Sequence, residues 1–153
     1  MSNMAKLACG LALAGIAATA VFAQEMKPDR AIKYRQGIMQ AIGWHMGVLS
    51  RMVKGEIPYN KDTAVRSATF ISELTRMPWD GFVPVSYEGG AKTKAKADIW
   101  KDKARFDKLA EAMQVETPKL VAAAQAGELA RLKPALSAMG DACNSCHDKF
   151  QNE

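Results

Sequence analysis

Cys143, Cys146 and His147 stand in the last eleven residues of the chain, CNSCHDKFQNE. The spacing C-x-x-C-H is the attachment signature of c-type haem. On a helix, residues three apart lie one turn apart on the same face. Both sulfurs can therefore reach the two vinyl groups of one porphyrin edge, and His147, directly after them, can bring an imidazole nitrogen beneath the iron. Other chemistries compete for these residues. A thioredoxin-type dithiol wants a βαβ context, and none is visible. A zinc site could draw on Cys143, Cys146, His147 and His45. Adjacent Cys146 and His147 would struggle to share one tetrahedral ion with Cys143, and structural zinc prefers separated ligand pairs. A disulfide between Cys143 and Cys146 would close almost no loop and stabilise little. A chance pentapeptide is the remaining alternative.

The start of the chain bears on the same cysteines. MSNMAKLACG carries Lys6 and no acid, and the apolar run LALAGIAATAVFA ends in small residues. Val21 and Ala23 fit the minus-three and minus-one positions of a secretory cleavage site, with Gln24 as the new N-terminus. The run is too short, and too rich in Ala and Gly, for a strong transmembrane anchor; an uncleaved anchor is the alternative. Residues 1–23 are thus expected to be removed, taking Cys9 with them. Residues 24–153 remain as one domain, long enough for a real core. In an oxidising compartment a disulfide framework would be normal, yet only Cys143 and Cys146 are left, so their job is local chemistry.

The mature part carries a net charge of about +4 once Lys6 has left. Its charges of both signs interleave, as on solvated helix faces. Only AKTKAKADIWKDKAR is locally dense, and it lacks the aromatic interleaving of a nucleic-acid platform. It reads as a loop and a helix start, with a docking face for an acidic redox partner as a second reading. No nucleic acid and no membrane contact of the mature form are expected.

These groups must be positioned by helices, because helical periodicity dominates the chain. Asp29 to Lys54 follows Pro28 and precedes Gly55, good start and stop residues. It repeats Ile32, Arg35, Met39, Ile42, Met46, Leu49 and Val53 at threes and fours. A second helix is expected from about Lys61 to Met77, with Phe70, Ile71, Leu74 and Met77 on its core face and Pro78 ending it. An irregular connection of about twenty residues follows, PWDGFVPVSYEGGAKTKAKA, of a length that is usually functional or mobile. A third helix from near Asp98 carries Ile99, Phe106, Leu109, Met113 and Leu120, with a kink or break expected near Glu116 because Pro118 lies inside it. After Gly127 a fourth shows Leu129, Leu132, Leu136, Met139, Cys143, Cys146 and Phe150, its start delayed or bent by Pro134. Four such helices imply an all-α, antiparallel up-down-up-down four-helix bundle. The two cysteines fall on the buried stripe of its last helix, where a covalent haem c would be held.

KYRQGIM in the first helix, VKGEIPYN at the first turn, LTRMPWDGF entering the connection, ADIW opening the third helix and CNSCHDKF at the end resemble the class II c-type cytochromes, most closely the cytochrome c′ family. The resemblance covers nearly the whole mature chain. It implies a high-spin, five-coordinate haem with His147 as proximal ligand and an apolar pocket on the other side. It implies a homodimer packed through the first two helices, a periplasmic location in a Gram-negative bacterium, and a role in electron transfer with an unidentified redox partner or in binding nitric oxide or carbon monoxide. No enzymatic turnover is implied, since the only spare histidine, His45, is badly placed for a peroxidase-type acid-base pair.

Residue by residue, the resemblance implies that Arg35 meets a haem propionate; the plainer reading is a snorkelling Arg. Gln36 matches a haem-contacting position. Met39 either crowds the open iron together with Ile42 or, as in low-spin relatives, is its sixth ligand; methionine is also a common gap-filler. Trp79 and Phe82 are expected against the porphyrin, or as plain loop anchors, and Thr93 near a propionate. His45 is expected at the surface or an interface, and Trp44 in packing or a dimer contact. Relatives often carry Arg or Lys four residues after the haem histidine. This chain has Gln151, which implies a lower reduction potential and a less guarded proximal side.

Overall fold

The computed structural model describes residues 27–86 and 92–152. The expected leader, residues 1–23 with Cys9, and the expected new N-terminus Gln24 lie outside the described residues. Five helices form among the described residues: α1 Pro28–Val53, α2 Lys61–Leu74, α3 Asp98–Lys101, α4 Lys103–Ala126 and α5 Leu129–Phe150. Two 3₁₀ turns, Pro78–Gly81 and Pro84–Ser86, lie between α2 and α3. Among the described residues, no helix is long and apolar enough to cross a membrane.

Helix α1 starts on Pro28, with Asp29 in its first turn and Arg51 in its last, both favourable to the helix dipole. It stops at Gly55, whose φ of 74° lets the following Glu56 N–H turn back onto the Arg51 carbonyl at 2.9 Å. The Asn60 side chain opens α2 by accepting from the Thr63 N–H at 2.8 Å. The helix ends at Leu74, short of Met77. Thr75 turns its hydroxyl onto the Ser72 carbonyl at 3.0 Å, and Met77 N–H reaches the Leu74 carbonyl in a tighter turn. The core face of α2 is Ala64, Ser67, Ala68 and Ile71. Phe70 and Met77, expected in the core, are exposed, because they fall off that stripe. The Phe70 ring instead lies 5.0 Å from that of His45.

The expected third helix is split. Asp102 is non-helical (φ −130°, ψ 52°), so α3 is a single turn and α4 starts afresh, with the Asp102 carbonyl taking the Phe106 N–H. The break expected near Glu116 is absent, and α4 runs on through Pro118. Proline at 118 leaves the carbonyl of Gln114 without its helical donor. The Thr117 hydroxyl donates to that carbonyl at 2.9 Å, which removes the reason to break. Pro134 does not delay α5 either. Pro134 and Ala130, whose carbonyl loses its partner, are both exposed, so water can serve it. Leu129, expected in the core, is exposed at the helix start.

The long helices α1, α2, α4 and α5 pack as an antiparallel up-down-up-down four-helix bundle, each on its chain neighbours and α1 closing onto α5. Ile42, Leu49, Ile71, Leu120, Leu132 and Met139 fill its centre. A second cluster of Ile99, Phe106 and Phe150 sits where the connection between α2 and α4 meets the end of α5. One antiparallel bridge, Ala95 with Gln151, ties that connection to the C-terminus.

Candidate functional site

A cavity of about 620 Å³ opens between α1, α4, α5 and the connection, within the range of small-molecule and cofactor pockets. All nine residues singled out from the sequence line it. Arg35, Gln36 and Met39 come from α1, Trp79 and Phe82 from the first 3₁₀ turn and its end, Thr93 from the connection, and Cys143, Cys146 and His147 from α5. His45 does not line it, so the zinc set is not assembled, and no group of three or more His, Cys, Asp or Glu among the described residues could hold a metal ion.

Helix α5 places the two cysteines because 143 and 146 are one turn apart on its inner face. Both are free thiols and half-buried. Burial raises the Cys143 thiol, and burial together with the nearby Cys143 pushes Cys146 up to about 11. A dithiol redox site does the reverse, lowering a thiol to expose its thiolate. These sulfurs are kept neutral. His147 follows on the exposed last turn, its carbonyl accepting from the Gln151 N–H at 2.9 Å.

Arg35 is 2 % exposed. Its Nη1 donates to the Gly81 carbonyl at 2.5 Å and to Ser86 Oγ at 2.6 Å, and its Nη2 to Thr93 Oγ1 at 3.1 Å. The guanidinium carbon also sits 4.6 Å from the Phe82 ring centroid. Burial pulls its pKa down. None of the ion pairs among the described residues includes it. A buried cation whose acceptors among the described residues are all neutral is costly, so the cavity wall is suited to an anionic group. Gln36 is already committed, its Nε2 donating to the Lys92 carbonyl at 2.9 Å. Gly81 is required where it stands: a Cβ there would meet the Ala31 carbonyl oxygen at 2.8 Å and Arg35 Cβ at 2.9 Å.

Four rings make one wall. Trp79 and Phe82 stack at 6.0 Å, Phe106 meets Trp79 edge-on at 5.7 Å and Phe82 at 4.9 Å, and Phe150 meets Phe106 edge-on at 5.4 Å. The Trp79 Nε1–H donates to the Thr75 carbonyl at 2.7 Å, which fixes its ring. Met39, Ile42, Met46 and Met113 add an apolar wall with no hydrogen-bond donor. Gly43 and Gly140 also line the cavity, and a Cβ on either would meet nothing within 4 Å. That leaves space a side chain would have taken. Sequence periodicity treats Phe106, Phe150 and Met113 as plain core, and nothing in it marks Ser86 as a partner of Arg35. The rim is closed by backbone: Lys96 N–H donates to the Phe150 carbonyl at 2.9 Å and Asn152 N–H to the Lys94 carbonyl at 2.8 Å. The residues fit a haem c: two neutral thiols, an adjacent imidazole, apolar walls and a cation for its carboxylates.

The sequence profile of one family, described as cytochrome C′, matches residues 30–151. The cytochrome c′ of Alcaligenes xylosoxydans xylosoxydans is 35% identical over 130 residues, 85% of this chain and 99% of that protein. The crystal structure of cytochrome c′ from Rubrivivax gelatinosus superposes with a TM-score of 0.78 at 35% identity, covering 83% of this chain and 98% of that one. A nitric oxide complex of a variant of the cytochrome c′ from Alcaligenes xylosoxidans superposes at 0.75 with 33% identity, over 83% and 97% of the two chains.

Proposed function

The chain belongs to the cytochrome c′ family, and on that premise we propose that it is an exported, periplasmic haem protein with five-coordinate iron that binds nitric oxide or carbon monoxide and carries electrons, without turnover of its own. Haem c, bound through Cys143 and Cys146, supplies an iron that changes charge by one electron and can take a small diatomic ligand. His147 would hold that iron from the end of α5. Arg35, fixed by Gly81, Ser86 and Thr93, would meet the haem carboxylates, and the four rings would exclude water from one wall.

The observation that carries this reading is the apolar wall of Met39, Ile42, Met46 and Met113. These four side chains offer no hydrogen bond to a bound dioxygen, so nitric oxide and carbon monoxide, which depend on one less, lose least there. The wall also holds no acid-base pair for peroxide chemistry, and Arg35 is engaged elsewhere. Met39→Ala should tighten carbon monoxide binding by about tenfold or more, roughly 1.4 kcal/mol, measured by titration of the reduced protein. Resonance Raman spectra of the unmodified protein test coordination directly. A low-spin spectrum that turns high-spin in Met39→Ala would mean that Met39 is the sixth ligand, and the protein a dedicated electron carrier.

Gln151 lines the cavity and is exposed where relatives often carry a cation. A positive charge there opposes the more positive, oxidised haem. Gln151→Arg should therefore raise the reduction potential, by on the order of tens of millivolts, in a spectroelectrochemical titration. An unchanged potential would count against a haem edge beside residue 151. Trp44 is 73 % exposed on α1 and Phe70 45 % on α2. These large apolar side chains support a homodimer packed through the first two helices.

A further inference from the structure

Four lysines gather at the rim where the connection meets the C-terminus. Lys92, Lys94 and Lys149 are exposed and Lys96 is half-buried. Lys94 itself lines the cavity, beside Thr93, Ala95 and Gln151. The backbone pairing of residues 94–96 with 150–152, and the Gln36 bond to the Lys92 carbonyl, hold these side chains at that edge. Lys96 Nζ lies 3.5 Å from the Asp148 carbonyl. Lys149 and Lys96 both act on the Asp98 carboxyl, after the stronger hold of Lys101 at 3.0 Å, so these two lysines lie near one another. None of the four lysines is in an ion pair among the described residues, whereas Lys101 is paired with Asp98 and Lys103 with Asp107.

Among the described residues, the large exposed apolar side chains, Tyr34, Trp44, Phe70, Met77, Val115 and Leu129, all lie on segments other than this patch. A membrane-binding surface would add aromatic or aliphatic side chains to its cations. A basic surface without apolar anchors among the described residues fits a brief encounter steered by opposite charge. We propose that Lys92, Lys94, Lys96 and Lys149 form the docking surface for an acidic, soluble one-electron carrier protein, seated over the rim of the haem cavity. This rests on the reading of the protein as a haem-bearing electron carrier. The step is one electron from the ferrous haem to the oxidised partner, with no proton and no bond made or broken.

The test uses the reduced holoprotein and two oxidants, the acidic blue-copper protein plastocyanin in its Cu(II) form and the small cation tris(phenanthroline)cobalt(III). Lys92→Glu, Lys96→Glu and Lys149→Glu are combined in one protein. A second protein combines Lys54→Glu, Lys61→Glu and Lys133→Glu, equal in charge and placed away from the rim; Lys61 packs against Gly127, between α4 and α5. The rim variant should react with plastocyanin about tenfold or more slowly at low ionic strength, the gap closing at high salt. Its reaction with the cobalt cation should not slow. The distant variant should change about twofold or less. The corresponding Lys→Gln triple should fall between, and stands in if charge reversal prevents folding. Equal slowing by both Glu triples would overturn the proposal, since net charge alone would then explain it. Slowing with both oxidants would overturn it by placing the effect on the cofactor. Rim-dependent binding to phosphatidylglycerol vesicles with an unchanged plastocyanin rate would assign the surface to a membrane instead. Failure of the underlying reading looks different: neither oxidant would react with the unmodified protein.

Discussion

A chain carrying Cys143→Ala and Cys146→Ala is expected to give up all of its haem to acidified acetone, while the unmodified protein keeps its colour in the precipitate. Each single substitution should keep the colour, because one thioether suffices to hold the group through extraction. The cavity does not depend on these sulfurs. The four rings, the methionine wall and Arg35 are carried by α1, α4, the connection and the last turn of α5. The double variant should therefore still fold and take up added haem without a covalent bond. His147 remains to meet the iron, but with an affinity set by burial and one axial nitrogen. The raised thiols sharpen this expectation. Burial holds both sulfurs protonated, so neither is poised as a thiolate for exchange or metal binding. Their remaining use is addition to a partner brought alongside. If the colour of the double variant stays with the protein, the attachment lies elsewhere and this account of α5 is wrong.

Much of this was legible in the sequence, for reasons that differ from residue to residue. Cys143, Cys146 and His147 are bound to one another by spacing along a single helix, and local geometry is what a sequence states most directly. The seam of α1 was legible because Ile32, Ile42 and Leu49 obey one period, and the cation at Arg35 stood out against it. Phe70 and Met77 misled because a hydrophobic residue one step off the stripe looks the same in sequence as one on it. Ala64, Ser67 and Ala68, which form the true face of α2, carry too little hydrophobicity to win. Pro118 misled in another way. The rule that proline breaks a helix assumes an orphaned carbonyl, and Thr117 provides for that carbonyl from three residues away. The partners of Arg35 were not legible at all. Gly81, Ser86 and Thr93 lie 46 to 58 residues from it along the chain, on a connection without a period. The site's electrostatics depend on that long-range closure.

Arg35→Leu should cost the haem-loaded protein about 3–5 kcal/mol of unfolding free energy, the range for breaking a buried charge pair. The same change should cost the haem-free chain less, on the order of 1–3 kcal/mol. The asymmetry follows from what Arg35 touches. Its three hydrogen-bond acceptors among the described residues, the Gly81 carbonyl, Ser86 Oγ and Thr93 Oγ1, are neutral. They bracket residues 87–91, so one guanidinium ties both sides of the connection to α1. Without a carboxylate, that gain is offset by the desolvation of the cation, which the lowered pKa registers. With the haem carboxylates in reach, the same buried charge becomes half of an ion pair in a dry site, where attraction is strong. Denaturant unfolding of the variant against its parent, once loaded and once in the haem-free Cys143→Ala, Cys146→Ala background, reads both terms. Arg35→Lys separates them further. It keeps the charge but not the planar fork that serves three acceptors at once, so it should recover part of the loaded-state loss and little of the haem-free one. Equal losses with and without haem would mean that Arg35 serves only the connection, and the anionic edge of the cofactor would have to be sought at another wall.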